Sequence, residues 1–90
     1  MRQTEIKIIN PLGLHARAAA QLVKLAGKFS SRTILRRTDN RLIADAKSIL
    51  SVLTLAASKG TVLLLEVEGD DENEAFDEIE RLFANGFGEM

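Results

Sequence analysis

The 90-residue chain carries 12 basic and 13 acidic side chains, is 46% hydrophobic and contains no cysteine. Its length supports one domain, residues 1–90, with a modest core, and its formal net charge of −1 does not favour binding to nucleic acid. The absence of cysteine excludes disulfides, thiolate nucleophiles and cysteine-based zinc sites.

Hydrophobic spacing predicts seven elements in the order β-α-β-β-α-β-α. They are a strand at 4–9, a helix from 16 to about 28, a hairpin at 33–45 that turns at Asp39–Asn40, a helix from 48 to about 57, a strand at 61–69 and a helix at 70–87 with a stop signal at Asn85–Gly86. Because the chain is too short for parallel crossovers throughout, we expect an α+β fold with an antiparallel sheet and helices on one face.

The N-terminal segment MRQTEIKIIN has charges among its apolar positions, so it does not resemble a signal peptide. No apolar run approaches membrane-spanning length. We therefore expect a cytoplasmic monomer that does not insert into a membrane. The acidic run at 70–74 complements the dipole of the last helix, and no metal site is predicted there because consecutive helical positions do not converge on one ion.

The segment NPLGLHAR, residues 10–17, places the single histidine, His15, where a loop becomes a helix. The start of a helix presents unpaired backbone amides and the positive end of the dipole, which attract anions and disfavour an imidazolium ring. Arg17 adds a fixed charge with a donor geometry suited to phosphate oxygens, and Gly13 lets the backbone bend close to the ring. These features fit a neutral imidazole that accepts and releases a phosphoryl group, and they fit equally a histidine that only caps the helix.

Two stretches, LGLHARAAAQLVKLAGKF and ADAKSILSVLTLAASKGTVLLLEVEGDDENEAF, resemble the HPr family of histidine phosphocarriers of the phosphoenolpyruvate-dependent phosphotransferase system. The resemblance runs essentially from end to end. It implies an open-faced β-sandwich, in which three helices cover one face of a four-stranded antiparallel sheet. It also implies a carrier with a covalent phosphohistidine intermediate rather than a free-standing enzyme, and no bound cofactor.

By this resemblance, His15 is the phosphoryl acceptor and Arg17 stabilises the phosphate. The implied donor is enzyme I, charged by phosphoenolpyruvate, and the implied acceptor is an A-type domain of a permease or regulator. Family members usually have proline directly after this arginine, where this chain has Ala18. Alanine restores one backbone N–H, so we expect altered phosphohistidine stability or first-turn dynamics rather than loss of function.

Ser48 lies in AKSIL, which resembles the segment that carries a regulatory serine in the family. In many bacteria a dedicated HPr kinase/phosphorylase modifies that serine. A phosphate there would be accommodated by the helix N-terminus and would add about two negative charges near the site. The alternative is a plain helix cap without a capping box, and the sequence leaves both open.

The helix after Ser48 has two apolar arcs, and covering the sheet requires only one of them. We expect the arc of Ile49, Leu50 and Leu53 to be exposed beside His15 as a docking surface for a protein partner. The helix has no basic face of the kind that binds membranes. Its burial on all sides is the alternative. The polar residues of the first helix, Arg17, Gln21 and Lys24, would form a rim suited to acidic partners.

A hydrolase is not favoured, because the single histidine has no evident Ser-His-Asp partners and no glycine-rich phosphate loop occurs. The alternative to a carrier is an HPr-like regulatory module, either of the nitrogen-related branch or sensing phosphorylation of Ser48. A carrier must pass its phosphoryl group to a second protein, whereas a regulatory module needs only to bind its targets differently. Within the carrier class, the sugar-uptake branch competes with the nitrogen-related branch. Ala18 and the segment SILSVLTLAASKG incline slightly towards a non-sugar or regulatory role without deciding it.

Overall fold

Four strands, β1 (Arg2–Lys7), β2 (Arg32–Arg37), β3 (Ile43–Asp45) and β4 (Val62–Glu68), form one sheet with the order β1-β4-β2-β3. Every neighbouring pair is antiparallel. The computed structural model describes residues 1–89.

Three helices, α1 (Ala16–Ala26), α2 (Ile49–Thr54) and α3 (Glu72–Ala84), cover one face of this sheet, and a 3₁₀ turn at Gly86–Gly88 follows α3. The predicted element order and the open-faced α+β architecture are therefore confirmed, with the 3₁₀ turn as an addition. Among the described residues, no helix has the length and apolar character needed to cross a membrane.

The core lies between the helices and the covered face of the sheet. In β4 the alternating residues Leu63, Leu65 and Val67 are fully buried, while Leu64 and Glu66 point to the open face. The helices supply the opposite wall with apolar residues at helical spacing, which include Ala18, Ala19, Leu22, Ala26, Val52, Ala75, Phe76, Ile79 and Phe83. Leu82 of α3 is only partly buried and packs against this core.

The connection between β2 and β3 differs from the prediction. A two-residue turn at Asp39–Asn40 was expected, but the last paired residues are Arg36 and Ile43, so the connection is longer and the prediction is wrong. Arg37 provides the physical reason, because its guanidinium binds both carboxylate oxygens of Asp39 at 2.8 and 2.7 Å and also donates to the carbonyl of Leu55 at 2.8 Å. These bonds hold the hairpin against the end of α2 and replace a tight turn.

Several element boundaries also differ from the prediction: β1 spans Arg2–Lys7 rather than 4–9, α1 ends at Ala26 rather than near residue 28, and α3 ends at Ala84 rather than at residue 87. Helix α2 ends at Thr54 rather than near residue 57, because Ala56 adopts a left-handed conformation with φ of 49°, which is a common way to close a helix C-terminus. Helix α3 starts at Glu72 rather than at residue 70, and Asp71 is its N-cap without a side-chain capping bond.

The carboxylate of Asp71 joins the start of α3 to the loop after α1. It accepts hydrogen bonds from the backbone amides of Ser30 and Ser31 at 2.8 and 2.9 Å, and a further one from the Ser31 hydroxyl. The Ser31 hydroxyl and the Ser30 amide hold the pKa of Asp71 below its usual value. These donors therefore stabilise the ionised form of Asp71.

We predict that Asp71→Asn destabilises the fold most at neutral pH. A carboxyl whose pKa is lower in the folded state contributes stability above its unfolded pKa and loses it as the pH falls through the folded value. The stability difference between the parent protein and Asp71→Asn should therefore shrink as the pH falls from about 5 to about 2. Urea unfolding at several pH values measures it.

The control is Asp70→Asn, because the exposed neighbour Asp70 makes no hydrogen bond or ion pair with any described residue. Its effect should not follow the same pH dependence. An Asp71→Asn difference that stays constant with pH would show that the ionised contact contributes no stability.

Candidate functional site at the start of the first helix

His15 is the N-cap of α1, with an extended backbone at φ of −71° and ψ of 176°. Its ring nitrogen Nδ1 accepts a hydrogen bond of 3.2 Å from the backbone amide of Arg17, and its side chain is 22% exposed. The ring thus caps the helix and remains within reach of solvent, so capping and a chemical role are compatible at this position.

The first turn of α1 offers further backbone donors beside the ring. The amides of Ala16 and Ala18 donate to no acceptor among the described residues, whereas the Ala19 amide donates to the carbonyl of His15 at 2.8 Å. Ala18 therefore does supply the extra N–H that distinguishes it from proline. Unpaired amides at a helix N-terminus form a favourable environment for an anion.

Glu89, which follows the 3₁₀ turn, places a carboxylate against the other side of the ring. Its Oε2 contacts His15 Nε2 and lies 3.5 Å from Nη2 of Arg17, while its Oε1 accepts from Nδ2 of Asn10 at 2.9 Å. The Asn10 bond is the largest cause of a lowered pKa at Glu89, burial opposes it, and His15 and Arg17 add to it. Glu89 is therefore an ionised acceptor.

These contacts assign the ring protons. An ionised carboxylate can only accept, so the contact requires a proton on Nε2 of His15. Nδ1 accepts from the Arg17 amide, so in the neutral ring it carries the lone pair. The hydrogen-bond network thus favours one neutral tautomer, in which Nε2 carries the proton and Nδ1 the lone pair.

Asn10 holds the loop before the helix and the Glu89 carboxylate together. It is 1% exposed, and its Nδ2 donates to the carbonyl of Gly13 at 2.8 Å as well as to Glu89. Both partners are acceptors, so the amide nitrogen must face them. The backbone carbonyl of Asn10 accepts a hydrogen bond from the Gly13 amide at 3.1 Å, which closes the turn.

The same loop is fixed to the segment that follows α2. The Leu14 amide donates to the carbonyl of Ala57 at 2.8 Å, and Leu14 is buried. Gly13 has φ of +65°, and a Cβ there would lie 2.4 Å from the Ala57 carbonyl oxygen and 2.8 Å from Cα of Ser58. Only glycine permits this close approach of the two backbone segments. The approach in turn sets the position of His15, two residues later.

The polar residues expected around His15 lie on one side of α1. Arg17 has a side chain that is 71% exposed, Gln21 is half-buried and Lys24 is exposed in the last turn. Arg17 and Gln21 line an open recess of about 440 Å³, together with Glu89. The recess therefore lies on the Arg17 and Glu89 side of the site, and His15 is not among the residues that line it.

Helix α2 has one buried and one exposed arc. Val52 and Leu55 are fully buried, whereas Ile49, Leu50 and Leu53 are 39%, 75% and 37% exposed. The helix is therefore not buried on all sides. We call the exposed trio, together with Gln21 and Lys24 of α1, the docking surface; its role stays a prediction.

Ser48 is the N-cap of α2 and is half-buried. Its hydroxyl accepts from the Ser51 amide at a long 3.4 Å, and the Ser51 hydroxyl in turn accepts from the Asp45 amide at 2.9 Å. This geometry describes a weak helix cap. Phosphorylation of Ser48 stays a prediction.

Sequence reasoning missed Asn10 and Glu89 as members of the site. Asn10 was assigned only to a loop, although an amide side chain directly before Pro11 is a signal for a turn held by that side chain. Glu89 stands 74 positions after His15, and no sequence pattern connects the two. Within residues 1–89 the structure contains no cluster of three histidine, aspartate or glutamate side chains placed to hold a metal ion.

The family model described as "PTS HPr component phosphorylation site" matches residues 2–85. The chain belongs to the HPr family. A phosphocarrier protein HPr of Cupriavidus necator is 49% identical over 89 residues, which cover 99% of this chain and 98% of that protein. HPr of Xylella fastidiosa is 46% identical with the same coverage.

Solved HPr structures show the same fold. HPr of Thermoanaerobacter tengcongensis superimposes with a TM-score of 0.92 at 41% identity, covering 100% of this chain and 99% of that one. HPr of Bacillus anthracis superimposes with a TM-score of 0.83 at 27% identity, covering 91% and 95%. The expected HPr family and fold are therefore confirmed, and the chain is an HPr-type phosphocarrier of the phosphotransferase system.

We predict that Gly13→Ala lowers the free energy of unfolding by about 3 kcal/mol. The alanine would have to adopt a left-handed backbone conformation, and its Cβ would clash with backbone atoms of Ala57 and Ser58. Gly60→Ala is the matched control, since Gly60 has φ of +92° but open space around the added Cβ. It should cost only about 1 kcal/mol. Equal losses in urea unfolding would show that the close approach at Gly13 is not a constraint.

Proposed function

We propose that this HPr accepts a phosphoryl group on His15 from phosphorylated enzyme I, charged by phosphoenolpyruvate, and passes it to an A-type domain of a permease or regulator in the cytoplasm. The observation that carries this proposal is the position of the ring, which is partly exposed at the start of α1 beside amides that have no other acceptor. Family membership supplies the system in which the transfer takes place.

In this proposal Nδ1 is the attacking atom. Its lone pair faces the backbone amides at the N-terminus of α1, whereas Nε2 contacts the Glu89 carboxylate. The hydrogen bond from the Arg17 amide to Nδ1 is long, at 3.2 Å, so giving it up costs little. After transfer, the same amide can donate to a phosphoryl oxygen.

The transfer steps are balanced without a cofactor. The bond from phosphorus to enzyme I breaks as the Nδ1–phosphorus bond forms, and the enzyme I group leaves with the electron pair. Passing the group on reverses this, since the Nδ1–phosphorus bond breaks and the acceptor's nucleophile forms the new one. The amides of Ala16 and Ala18 and the cation of Arg17 provide electrostatic stabilisation for the phosphoryl oxygens.

We also propose that the docking surface binds both enzyme I and the acceptor domain. Leu50 is the most exposed apolar residue of α2, so burying it against a partner yields the largest gain. Lys24 supplies positive charge at the rim, which favours an acidic partner and speeds association. A carrier must be released after each transfer, so a small interface of modest affinity fits this role.

The direct test of the function is to incubate the protein with enzyme I and phosphoenolpyruvate and to measure its intact mass. We expect an acid-labile gain of one phosphoryl group in the parent protein and none in His15→Ala. Ser48→Ala should retain the gain. A gain that survives in His15→Ala would refute His15 as the acceptor.

The same sample distinguishes a carrier from a regulatory module. Addition of an unphosphorylated A-type domain should remove the phosphoryl mass from this protein and add it to the domain. If His15 is phosphorylated but no A-type domain takes the group, the carrier proposal fails and the regulatory alternative is favoured.

We predict that Leu50→Glu slows phosphorylation by enzyme I by about tenfold, equivalent to about 1.4 kcal/mol, while leaving the stability of the fold within about 0.5 kcal/mol. Leu42→Glu is the control, because Leu42 is a leucine exposed by 44% outside the docking surface. Phosphorylation rates and urea unfolding provide the measurements. Equal rates for both variants would contradict the assignment of the surface.

A further inference from the structure

A chain of polar contacts runs from Asn10 through Glu89 to Nε2 of His15, on the opposite side of the ring from Nδ1, the nitrogen proposed to react. We propose that Glu89, anchored by Asn10, is a positioning residue that keeps the proton on Nε2 of His15 while Nδ1 gains and loses the phosphoryl group. This inference rests on the proposed function and names two further residues that act at the same site.

The two oxygens of Glu89 have different roles. Oε1 accepts from the buried Asn10 amide, which is fixed by its second bond to the Gly13 carbonyl. Oε2 contacts the His15 ring and lies 3.5 Å from Nη2 of Arg17. Because Asn10 holds one oxygen in place, Glu89 stays on the ring when the exposed Arg17 side chain turns towards a phosphoryl group.

The negative charge of Glu89 acts when the ring becomes positive. Attack by Nδ1 turns a neutral ring with a proton on Nε2 into a phosphorylated imidazolium, and a carboxylate on Nε2–H stabilises that cation. In the return step the electron pair of the Nδ1–phosphorus bond goes back to the ring, which becomes neutral with the proton still on Nε2. A ring that keeps the proton on Nε2 leaves as neutral imidazole, which is a better leaving group than imidazolate. The contact therefore assists both the uptake and the release of the phosphoryl group.

Among the described residues, the charged groups in contact with the ring or its partners at this end are Arg17 and Glu89. Arg17 opposes a positive charge on the ring, and Glu89 favours it. Glu89 makes the direct contact with Nε2, whereas the Arg17 contact to Nδ1 comes from its backbone amide. Removal of this direct contact should therefore be visible in a pH profile of the phosphorylated protein.

The first experiment measures hydrolysis of the isolated phosphorylated protein between about pH 4 and pH 9. In this reaction a water oxygen replaces Nδ1 on phosphorus, and hydrolysis is fast while Nε2 is protonated. Replacing Glu89 by glutamine in Glu89→Gln should shift the midpoint of the profile down by about 1 pH unit or more, as expected when an opposite charge in contact with a titrating group is removed.

Glu80→Gln is the matched control, because it removes the same charge from an exposed side chain of α3 that makes no bond with a described residue. It should leave the profile unchanged. A Glu89→Gln profile that coincides with the parent profile, or one that Glu80→Gln reproduces, would overturn the proposal. A merely structural role for Glu89 would alter stability without moving this midpoint.

The second experiment uses the unphosphorylated protein, so it does not depend on enzyme I. At about pH 9, where a histidine ring is neutral, proton NMR with ¹⁵N-labelled histidine should show an Nε2–H signal of His15 that exchanges slowly with water. In Glu89→Ala the exchange should be at least tenfold faster, and Glu80→Ala should resemble the parent. An unaltered signal in Glu89→Ala would refute the contact.

The two experiments separate the failure of this inference from failure of the proposed function. If His15 takes up no phosphoryl group but its Nε2–H signal depends on Glu89, the positioning contact exists and the carrier function is wrong. If phosphorylation occurs and neither the signal nor the profile depends on Glu89, the inference alone is wrong.

Discussion

The close approach between the loop before α1 and the segment after α2 determines the geometry of the whole site. Gly13 leaves no space for a side chain against the backbone of Ala57, and the next amide, that of Leu14, donates to the Ala57 carbonyl. This contact fixes the start of α1, and therefore His15, relative to the end of α2. The start of α1 and the segment after α2 are thus held together by this backbone contact, and the proposed docking of a partner on α2 depends on it.

The two nitrogens of the His15 ring lie in opposite electrostatic environments. The helix mouth, with its free amides and Arg17, favours negative charge near Nδ1, whereas Glu89 favours a proton on Nε2. Arg17 contacts the Glu89 carboxylate in this structure, and an arriving phosphoryl group would compete for it. If Arg17 turns towards the anion, Glu89 keeps its contacts with Asn10 and His15, so no buried charge is left unpaired. This suits a phosphoryl group that, in the proposed function, must leave again.

The fold was largely predictable, because it depends on local periodicity. Alternation in β4 and helical spacing in α1 and α3 identify the covered face, and the position of His15 at a loop-to-helix junction follows from Pro11 and Gly13 before it. The length of the hairpin was not predictable. It depends on Arg37 reaching the end of α2, a tertiary contact that no local turn preference describes.

The same distinction applies to the site. His15 and Arg17 are two positions apart in sequence, so their proximity is visible in the chain, and the family resemblance implies their roles. Glu89 reaches His15 only through the buried amide of Asn10 and the 3₁₀ turn after α3, so the contact exists only in the folded protein. Separation along the chain explains why Glu89 could not be found from sequence, whereas Asn10, close to His15 in sequence, was missed because its loop position did not reveal its contact with Glu89.

The most direct measurement of the central claim is NMR of the protein labelled with ¹⁵N in histidine, after reaction with enzyme I and phosphoenolpyruvate. We expect a phosphorus–nitrogen coupling at Nδ1 of His15, with the proton left on Nε2. A coupling at Nε2, or phosphate on another residue with an unmodified His15, would contradict it.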